Sequence, residues 1–186
     1  MLILGISGSL RRDSHNARLL RAAARKLPPW ARLCVWDELA AIPPFNEDHE
    51  ARPPDPAVRR LRGAIALADA VLISTPEYNA SFPGQLKNAL DWVSRPYDTN
   101  PLRGRAVAVV GASTGLFGAV WAQADLRRVL ARIGAVVLDE ELPVGRAAGA
   151  FNLRGDLHEA DADAALGALM AALLAAARPA AEPAAA

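Results

Sequence analysis

Side chains suited to holding an anion are concentrated between residues 7 and 16, directly after the first predicted strand. Those that can hydrogen-bond to a ligand or carry a positive charge are Ser9, Arg11, Arg12, Ser14 and Asn16. Gly8 permits a tight exit from the strand, and the helix that follows directs its free N–H groups at the loop. A phosphate group with about 1.5 to 2 negative charges suits these donors, so we predict a phosphate site. The alternative is an ordinary strand-to-helix turn in which Ser14 caps the helix.

Two further loops have a composition that is unusual for a turn. Residues 75–84 contain two prolines and a flat, polar surface at Tyr78, Asn79 and Ser81, on which a planar heterocycle could lie. An ordinary proline-rich turn is the alternative there. Residues 111–118 contain three glycines and two hydroxyl side chains, so the backbone can approach a ligand closely.

The glycine spacing excludes the commonest nucleotide-binding motifs. After the first strand the chain reads Gly-x-x-Gly-Ser, which lacks the spacing of the dinucleotide fingerprint, and it contains no Walker A loop. These absences disfavour a nicotinamide-binding Rossmann domain and a P-loop NTPase.

The elements that must position these loops alternate along the chain. Apolar runs predict strands at 2–6, 32–36, 70–74, 105–110 and 135–138. Helical periodicity predicts helices at 16–27, 57–67, 82–94, 119–132 and 159–177, with Ser81 as a candidate N-cap. Apolar strands that alternate with helices are typical of a parallel sheet. We therefore predict an α/β, flavodoxin-like three-layer sandwich with a five-stranded parallel sheet in the order 2-1-3-4-5. That order brings together the loops after strands 1, 3 and 4.

Composition limits the class of protein. The chain has 186 residues and a net charge of +1, so we expect one domain at 1–177 and a disordered tail at 178–186, and nothing favours a nucleic-acid partner. Cys34 is expected to be buried in the second strand. The three histidines do not form a metal or catalytic arrangement. His15 either contacts the predicted phosphate or is simply exposed to solvent. No apolar run approaches the ~20 residues that span a bilayer, and a strand from residue 2 leaves no room for a signal peptide, so we expect a cytoplasmic protein.

Taken together, the motifs resemble the NADPH-dependent FMN reductase family, whose relatives reduce quinones, chromate and azo dyes. The similarity runs from residue 2 to about residue 175. It is carried by Gly8-Ser9-Leu10-Arg11 with Ser14 and Asn16, by Thr75-Pro76-Glu77-Tyr78-Asn79 continuing to Asp91-Trp92, and by Gly111-Ala112-Ser113 with Gly115 and Gly118.

The resemblance implies a site for FMN, with NAD(P)H as co-substrate. It implies that the FMN phosphate is bound by Ser9, Arg11, Ser14 and Asn16. It also implies that Pro76, Glu77, Tyr78 and Asn79 flank the isoalloxazine, with Ser113 and Gly115 on its other side. A homodimer or homotetramer is implied as well, with Glu77, Asp91 and Trp92 near the subunit interface.

The implied activity is that of a reductase. Hydride passes from NAD(P)H to the flavin and then to a quinone, free flavin, azo compound or metal oxyanion, by ping-pong kinetics. No side chain acts as a catalytic acid or base, because the flavin carries the chemistry, and no metal is expected. The alternatives are a flavodoxin-type electron carrier and a redox-sensing flavoprotein. The sequence leaves open the acceptor, the choice between NADH and NADPH, and the role of residues 37–56. Arg146 and Arg154, after the last strand, are solvated, or they contact the NADPH phosphate or a partner subunit.

Overall fold

One parallel sheet forms the centre of the molecule. The computed structural model describes residues 1–50 and 52–177. In this part of the chain the strands are β1 (Leu2–Ser7), β2 (Arg32–Trp36), β3 (Ala70–Thr75), β4 (Ala106–Ala112), β5 (Val136–Val137) and β6 (Pro143–Val144). Their order is β2-β1-β3-β4-β5, and β6 pairs with the carboxyl end of β4. The predicted flavodoxin-like order 2-1-3-4-5 is confirmed.

Helices cover both faces of this sheet. They are α1 (His15–Ala24), α2 (Pro56–Leu67), α3 (Gly84–Val93), α4 (Val120–Arg132) and α5 (Ala160–Ala176). Side chains alternate between the two faces of a strand. Val71 and Ile73 of β3 therefore pack in one cluster with α2, α3 and α4. Ala70 and Leu72 pack in the other cluster with α1 and α5, which completes a three-layer sandwich.

The two edges of the sheet differ from the sequence-based expectation. The fifth strand is shorter than predicted, and the chain returns to β4 as β6, which the sequence did not indicate. At the other edge, Cys34 is exposed rather than buried. Since β2 lies at the edge and has a neighbouring strand on only one side, the helices cover it less completely than the central strands.

The start of α3 also corrects a prediction. This helix begins at Gly84, after Pro83 and without a side-chain cap, so Ser81 is not its N-cap. Ser81 instead belongs to a tight turn, described below, that separates β3 from the helix. A similar sequence signal at α2 does operate as a cap, because Asp55 accepts the N–H of Ala57 at 2.8 Å beside Pro56.

Residues 37–56 are held against α3, apart from Ala51, which lies outside the described residues. The Asn88 side chain donates to the Pro43 carbonyl at 2.8 Å and accepts the N–H of Phe45 at 2.7 Å. The Trp92 indole donates to the same carbonyl at 2.8 Å, and its ring meets that of Phe45 edge to face. Trp92 is therefore buried within its own chain.

The remaining expectations concern the C-terminus and membranes. The tail predicted at 178–186 lies outside the described residues. Within the described ranges, the helices are too short or too polar to span a bilayer.

Candidate flavin site at the carboxyl ends of three strands

The loop after β1 is fixed by the start of α1. Ser14 is 2% exposed and has an extended backbone, and its hydroxyl accepts the N–H groups of Asn16 and Ala17 at 3.1 and 3.3 Å. These bonds satisfy two of the free donors of the helix. The Ser14 hydroxyl hydrogen can still be donated to a ligand. Ser14 can therefore cap α1 and donate a hydrogen bond to a phosphate at the same time.

Asn16 joins this loop to the centre of the sheet. Its side-chain amide donates to the Ala112 carbonyl at 3.0 Å, and its Oδ1 accepts the Ala112 N–H at 3.0 Å. The same Oδ1 accepts the Ser74 hydroxyl at 2.9 Å. Asn16 is 3% exposed, so these bonds lie away from water. The residue connects α1 to the carboxyl ends of β3 and β4 and fixes the relative position of all three loops.

A small cavity of about 90 Å³ lies where these loops meet. It is lined by Ser9, Arg11, Ser14, His15, Asn16, Pro76, Glu77, Tyr78, Ala112, Ser113 and Thr114. We call it the phosphate cavity. Of the residues predicted for the site, only Asn79 and Gly115 are outside its lining, and both are exposed. The cavity has room for a phosphate group but not for a three-ring flavin, so a flavin ring would lie outside it.

The donors of the phosphate cavity fit an anion. The N-terminus of α1 opens onto it and favours negative charge. Arg11 is exposed and takes part in none of the ion pairs seen among the described residues. His15 Nδ1 is buried without a hydrogen-bond partner in this part of the chain. The donor side chains, the N-terminus of α1 and the unpartnered His15 nitrogen are together suited to binding a phosphate.

The surroundings of His15 alter its titration. Partial burial, followed by the charges of Arg18 and Arg11, lowers the pKa of His15. The sequence left His15 undecided between phosphate contact and simple exposure. The position of His15 directly after the Ser14 cap was the sequence signal for a phosphate contact. The structure places His15 in the lining of the phosphate cavity.

The loop after β3 is a tight hairpin turn. Tyr78 and Ser81 exchange both backbone hydrogen bonds, at 2.9 and 3.2 Å. The two central residues, Asn79 and Ala80, have φ values of 53° and 61°, the positive values that a two-residue hairpin of this kind requires. Ala80 lacks the local hydrogen bonding that helps Asn in this conformation, so the turn stores strain there. Tyr78, the first residue of the turn, is 52% exposed.

Both ends of this turn are bound to α4. The residue before α4, Ala119, has no side chain that can cap the helix. The Glu77 carboxylate supplies the cap instead, since its Oε2 accepts the N–H groups of Trp121 and Ala122, each at 3.1 Å. At the other end, the Ser81 hydroxyl donates to Asp125 Oδ2 at 2.7 Å.

Asp125 is held as an anion by its neighbours. Donation from the Ser81 hydroxyl, and then from the Arg128 guanidinium at 2.7 Å, lowers the pKa of Asp125. Sequence reasoning missed Asp125 and its contact with Ser81, because the two residues are 44 positions apart and only the fold brings them together.

The loop after β4 is fixed by the segment that follows β6. Ser113 accepts the N–H of Ala147 at 2.9 Å and donates its own N–H to the Val144 carbonyl at 3.1 Å. The Gly115 carbonyl accepts the Arg146 N–H at 2.8 Å. Gly118 has a φ of 59°, and a Cβ there would lie 2.4 Å from the Pro143 carbonyl carbon. The loop needs glycine at that position to approach β6 so closely.

The arrangement can bind a phosphate and present an open surface beside it, at Tyr78, Asn79 and the loop after β4. Within the described ranges, no three His, Cys, Asp or Glu side chains come close enough to hold a metal ion.

Comparison with known proteins shows the family of the chain. A family model described as NADPH-dependent FMN reductase matches residues 1–149. An NAD(P)H-dependent FMN reductase of Pseudomonas aeruginosa is 44% identical over 156 residues, which are 83% of each chain. A 2-hydroxy-1,4-benzoquinone reductase of a Burkholderia species is 41% identical over 135 residues, 73% of each chain.

A solved structure is similar over nearly the whole chain. FerB, a flavoenzyme NAD(P)H:(acceptor) oxidoreductase from Paracoccus denitrificans, matches with a TM-score of 0.82 and 33% identity, covering 94% of this chain and 95% of its own. The chain therefore belongs to the NADPH-dependent FMN reductase family. This confirms the resemblance, the assignment as an oxidoreductase and, at the level of the family, FMN and NAD(P)H as cofactor and reductant.

Proposed function

We propose that this member of the NADPH-dependent FMN reductase family binds FMN through the phosphate cavity and uses NAD(P)H to reduce small-molecule acceptors, with quinones as the main class. One observation carries the proposal. A cavity of phosphate size, with Arg11, the α1 N-terminus and an unpartnered His15 nitrogen around it, opens beside an exposed turn at the carboxyl ends of β1, β3 and β4.

Each residue predicted for the site has a role in this proposal. Ser9 and Arg11 donate to the phosphate, and Ser14 adds its hydroxyl hydrogen while it caps α1. Asn16 acts by position, since both polar atoms of its side chain are already bonded to Ser74 or Ala112. Bound FMN would supply the hydride transfer itself.

The edge of the flavin would meet the turn and the loop after β4. Pro76 and Tyr78 line the cavity mouth, and Asn79 is exposed beside them. On the other side, Ser113 lines the cavity and Gly115 is exposed with no side chain to obstruct a ligand. Glu77 is best placed to hold the turn on α4, because its carboxylate is engaged by two N–H groups.

The open surface supports one shared position for both substrates. Tyr78 is 52% exposed and Leu116 is 60% exposed, so nothing in the described chain covers this side of the site. A nicotinamide and an acceptor would use the surface in turn, which gives ping-pong kinetics. Quinones are favoured because relatives carry quinone reductase names. Free flavins, azo compounds and metal oxyanions are further candidates for such an open surface.

An anaerobic titration tests the reductase proposal against the electron-carrier alternative. The FMN-loaded protein is mixed with NADPH, and the flavin absorbance near 450 nm is followed before and after a benzoquinone is added. We expect rapid bleaching, recovery on quinone addition, and parallel double-reciprocal plots in the steady state. A flavin that NADPH bleaches no faster than free FMN in solution would contradict the proposal.

We also propose a cytoplasmic homodimer or homotetramer. Phe117 and Trp121 are 59% and 50% exposed and meet edge to face next to Leu116, forming an apolar surface beside the site. Light scattering of the purified protein tests the assembly. A monomer at micromolar concentration would contradict it.

A further inference from the structure

A second cavity lies on the other side of the phosphate loop. Its volume is about 370 Å³, within the range of small-molecule sites. Its walls come from residues 7–12, from α1 and from the segment that begins at the end of β2. Ser9 and Arg11 line both this cavity and the phosphate cavity, so the two spaces meet at one loop. We call this space the arginine cavity.

Three arginines line the arginine cavity, namely Arg11, Arg12 and Arg21. All three are exposed, and none takes part in an ion pair within the described ranges. At the C-terminal end of the same helix, by contrast, the basic side chains are paired with carboxylates. Arg25 pairs with Asp156 at 2.7 Å, and Lys26 pairs with Asp163. These arginines therefore carry positive charge that an anionic ligand can neutralise.

The geometry of α1 gives Arg21 access to the cavity. Ala17 and Arg21 are four positions apart and both line it, as expected for two residues on one helix face. Arginine presents a planar fork of donors that matches phosphate oxygens, which suits this role better than a lysine would.

The rest of the wall suits a nucleoside. Leu10 and Val35 are 55% and 44% exposed, and the buried Trp36 also lines the cavity. A flat base could cover this apolar part of the wall. Asp37 is the only acid in the lining, and its carboxylate can accept hydrogen bonds from ribose hydroxyls.

We propose that the arginine cavity receives the adenosine end of NADPH, with the phosphomonoester of its ribose bound by Arg12 and Arg21. The proposal rests on the reductase function given above and deepens it, because it accounts for a preference for NADPH over NADH. Arg11 is shared with the FMN phosphate, which leaves Arg12 and Arg21 as the groups that select the extra phosphate. Asp37 would repel a phosphate, so the phosphate lies on the arginine side of the cavity.

A competing position for the same phosphate is the cavity of about 280 Å³ that Arg146 lines. It contains one guanidinium and also Glu159. The arginine cavity has three arginines against Asp37, whereas the other cavity has one arginine against Glu159, so the arginine cavity has the larger surplus of positive charge for an anion. The experiment therefore includes Arg146 as a separate arm.

The test uses probes that need no turnover. FMN-loaded protein is titrated calorimetrically with adenosine 2′,5′-bisphosphate and with adenosine 5′-monophosphate, which differ only in the 2′-phosphate. We expect the bisphosphate to bind about a hundredfold more tightly, and R21A and R12A each to reduce that difference about tenfold. R21K should retain part of it. R146A and R132A, the latter on α4 by the opposite edge of the sheet, should leave it unchanged.

The kinetic arm separates this inference from the reductase proposal. In R21A, KM for NADPH should rise about tenfold, while kcat and KM for NADH stay within twofold. Equal affinity for the two probes in the wild type, or loss of the difference in R146A rather than R21A, would overturn the assignment. If the wild type does not oxidise NADPH, the reductase proposal fails, and the calorimetry still decides what the cavity binds.

Discussion

The two ends of the candidate flavin site are built in different ways. At the phosphate end, Ser14 and Asn16 are almost fully buried and their side chains bond to α1, β3 and β4. At the ring end, Tyr78, Asn79 and Ala80 are exposed, and the turn they form has positive φ values at two non-glycine residues. That turn is attached to α4 by one carboxylate, Glu77, and by the hydroxyl of Ser81.

This difference predicts which property of the protein a substitution at each end will change. The phosphate end is part of the core, so a change there should lower the stability of the whole protein. The ring end rests on a few polar contacts at the surface, so a change there should alter catalysis more than stability. Substitutions at each end test this division.

The N16A substitution should have the largest effect on stability. It leaves both backbone groups of Ala112 without their partner in a buried setting, at about 1–3 kcal/mol for each unsatisfied group. We expect a loss of about 3 kcal/mol in the free energy of unfolding, which is roughly a 10 °C fall in Tm for a chain of this size. Denaturant and thermal unfolding measure it.

The matched control is N79A, which removes an exposed Asn from the other end of the site. N79A should lower the free energy of unfolding by about 1 kcal/mol or less, because it loses only the preference of Asn for positive φ. Equal losses for the two variants would contradict the division between a buried phosphate end and an exposed ring end.

The E77A substitution should affect catalysis more than FMN binding. Loss of the cap leaves the N–H groups of Trp121 and Ala122 without their acceptor and costs about 0.5–2 kcal/mol. Because the turn is then free to move from α4, we expect kcat/KM for the acceptor to fall severalfold while the Kd of FMN changes less than threefold. E77Q keeps an acceptor oxygen and should be milder, and E140A is a control at an exposed glutamate. A variant that loses FMN but keeps its acceptor kinetics would refute the assignment.

The A80G substitution should stabilise the protein slightly. A non-glycine residue with positive φ costs about 1–2 kcal/mol of folding free energy, which A80G would relieve. Part of that relief is offset because glycine has greater conformational freedom in the unfolded chain. We expect a net gain of about 0.5–1 kcal/mol, measured by denaturant unfolding. N79G should give a smaller gain, since Asn tolerates this conformation. A destabilised A80G would mean that Ala80 makes contacts that offset its strain.

The smallest effect concerns pH. The pKa of His15 is lowered in the folded protein by partial burial and by neighbouring arginines. The neutral form is therefore favoured by folding, and its contribution to stability is present above pH ~6.5 and is lost as the pH falls through the lowered value. Apo-protein should lose some stability between pH 7 and 5, and H15N should lose less, with H49N as a control at an exposed histidine. An H15N profile that matches the wild type would exclude His15 as the source.

The sequence predicted what depends on neighbouring residues. The Ser14 cap, the parallel strand order and the grouping of the three loops follow from local patterns and from the topology of such sheets. The contacts of Asn16 with Ala112, and of Glu77 with α4, join residues 96 and about 44 positions apart. No local pattern could indicate them, because they exist only once the strands are in register.

Three errors have the same origin. Cys34 was expected to be buried because its neighbours are apolar, but burial depends on whether a helix covers the strand, and β2 is at the edge. Ser81 has the composition of a helix cap, but the hairpin turn places its hydroxyl on Asp125. The short β6 pairs beside β4 through two residues, too few to show a pattern in the sequence.

The central claim is that the cofactor is held by its phosphate, and it is tested most directly by comparing FMN with riboflavin. Apo-protein is titrated with each, and flavin fluorescence reports binding. Two charge-assisted hydrogen bonds of about 1.5 kcal/mol each correspond to roughly a hundredfold difference in Kd. We predict that FMN binds about a hundredfold more tightly than riboflavin and that R11A reduces this ratio about tenfold, whereas equal affinity for the two flavins would contradict the account.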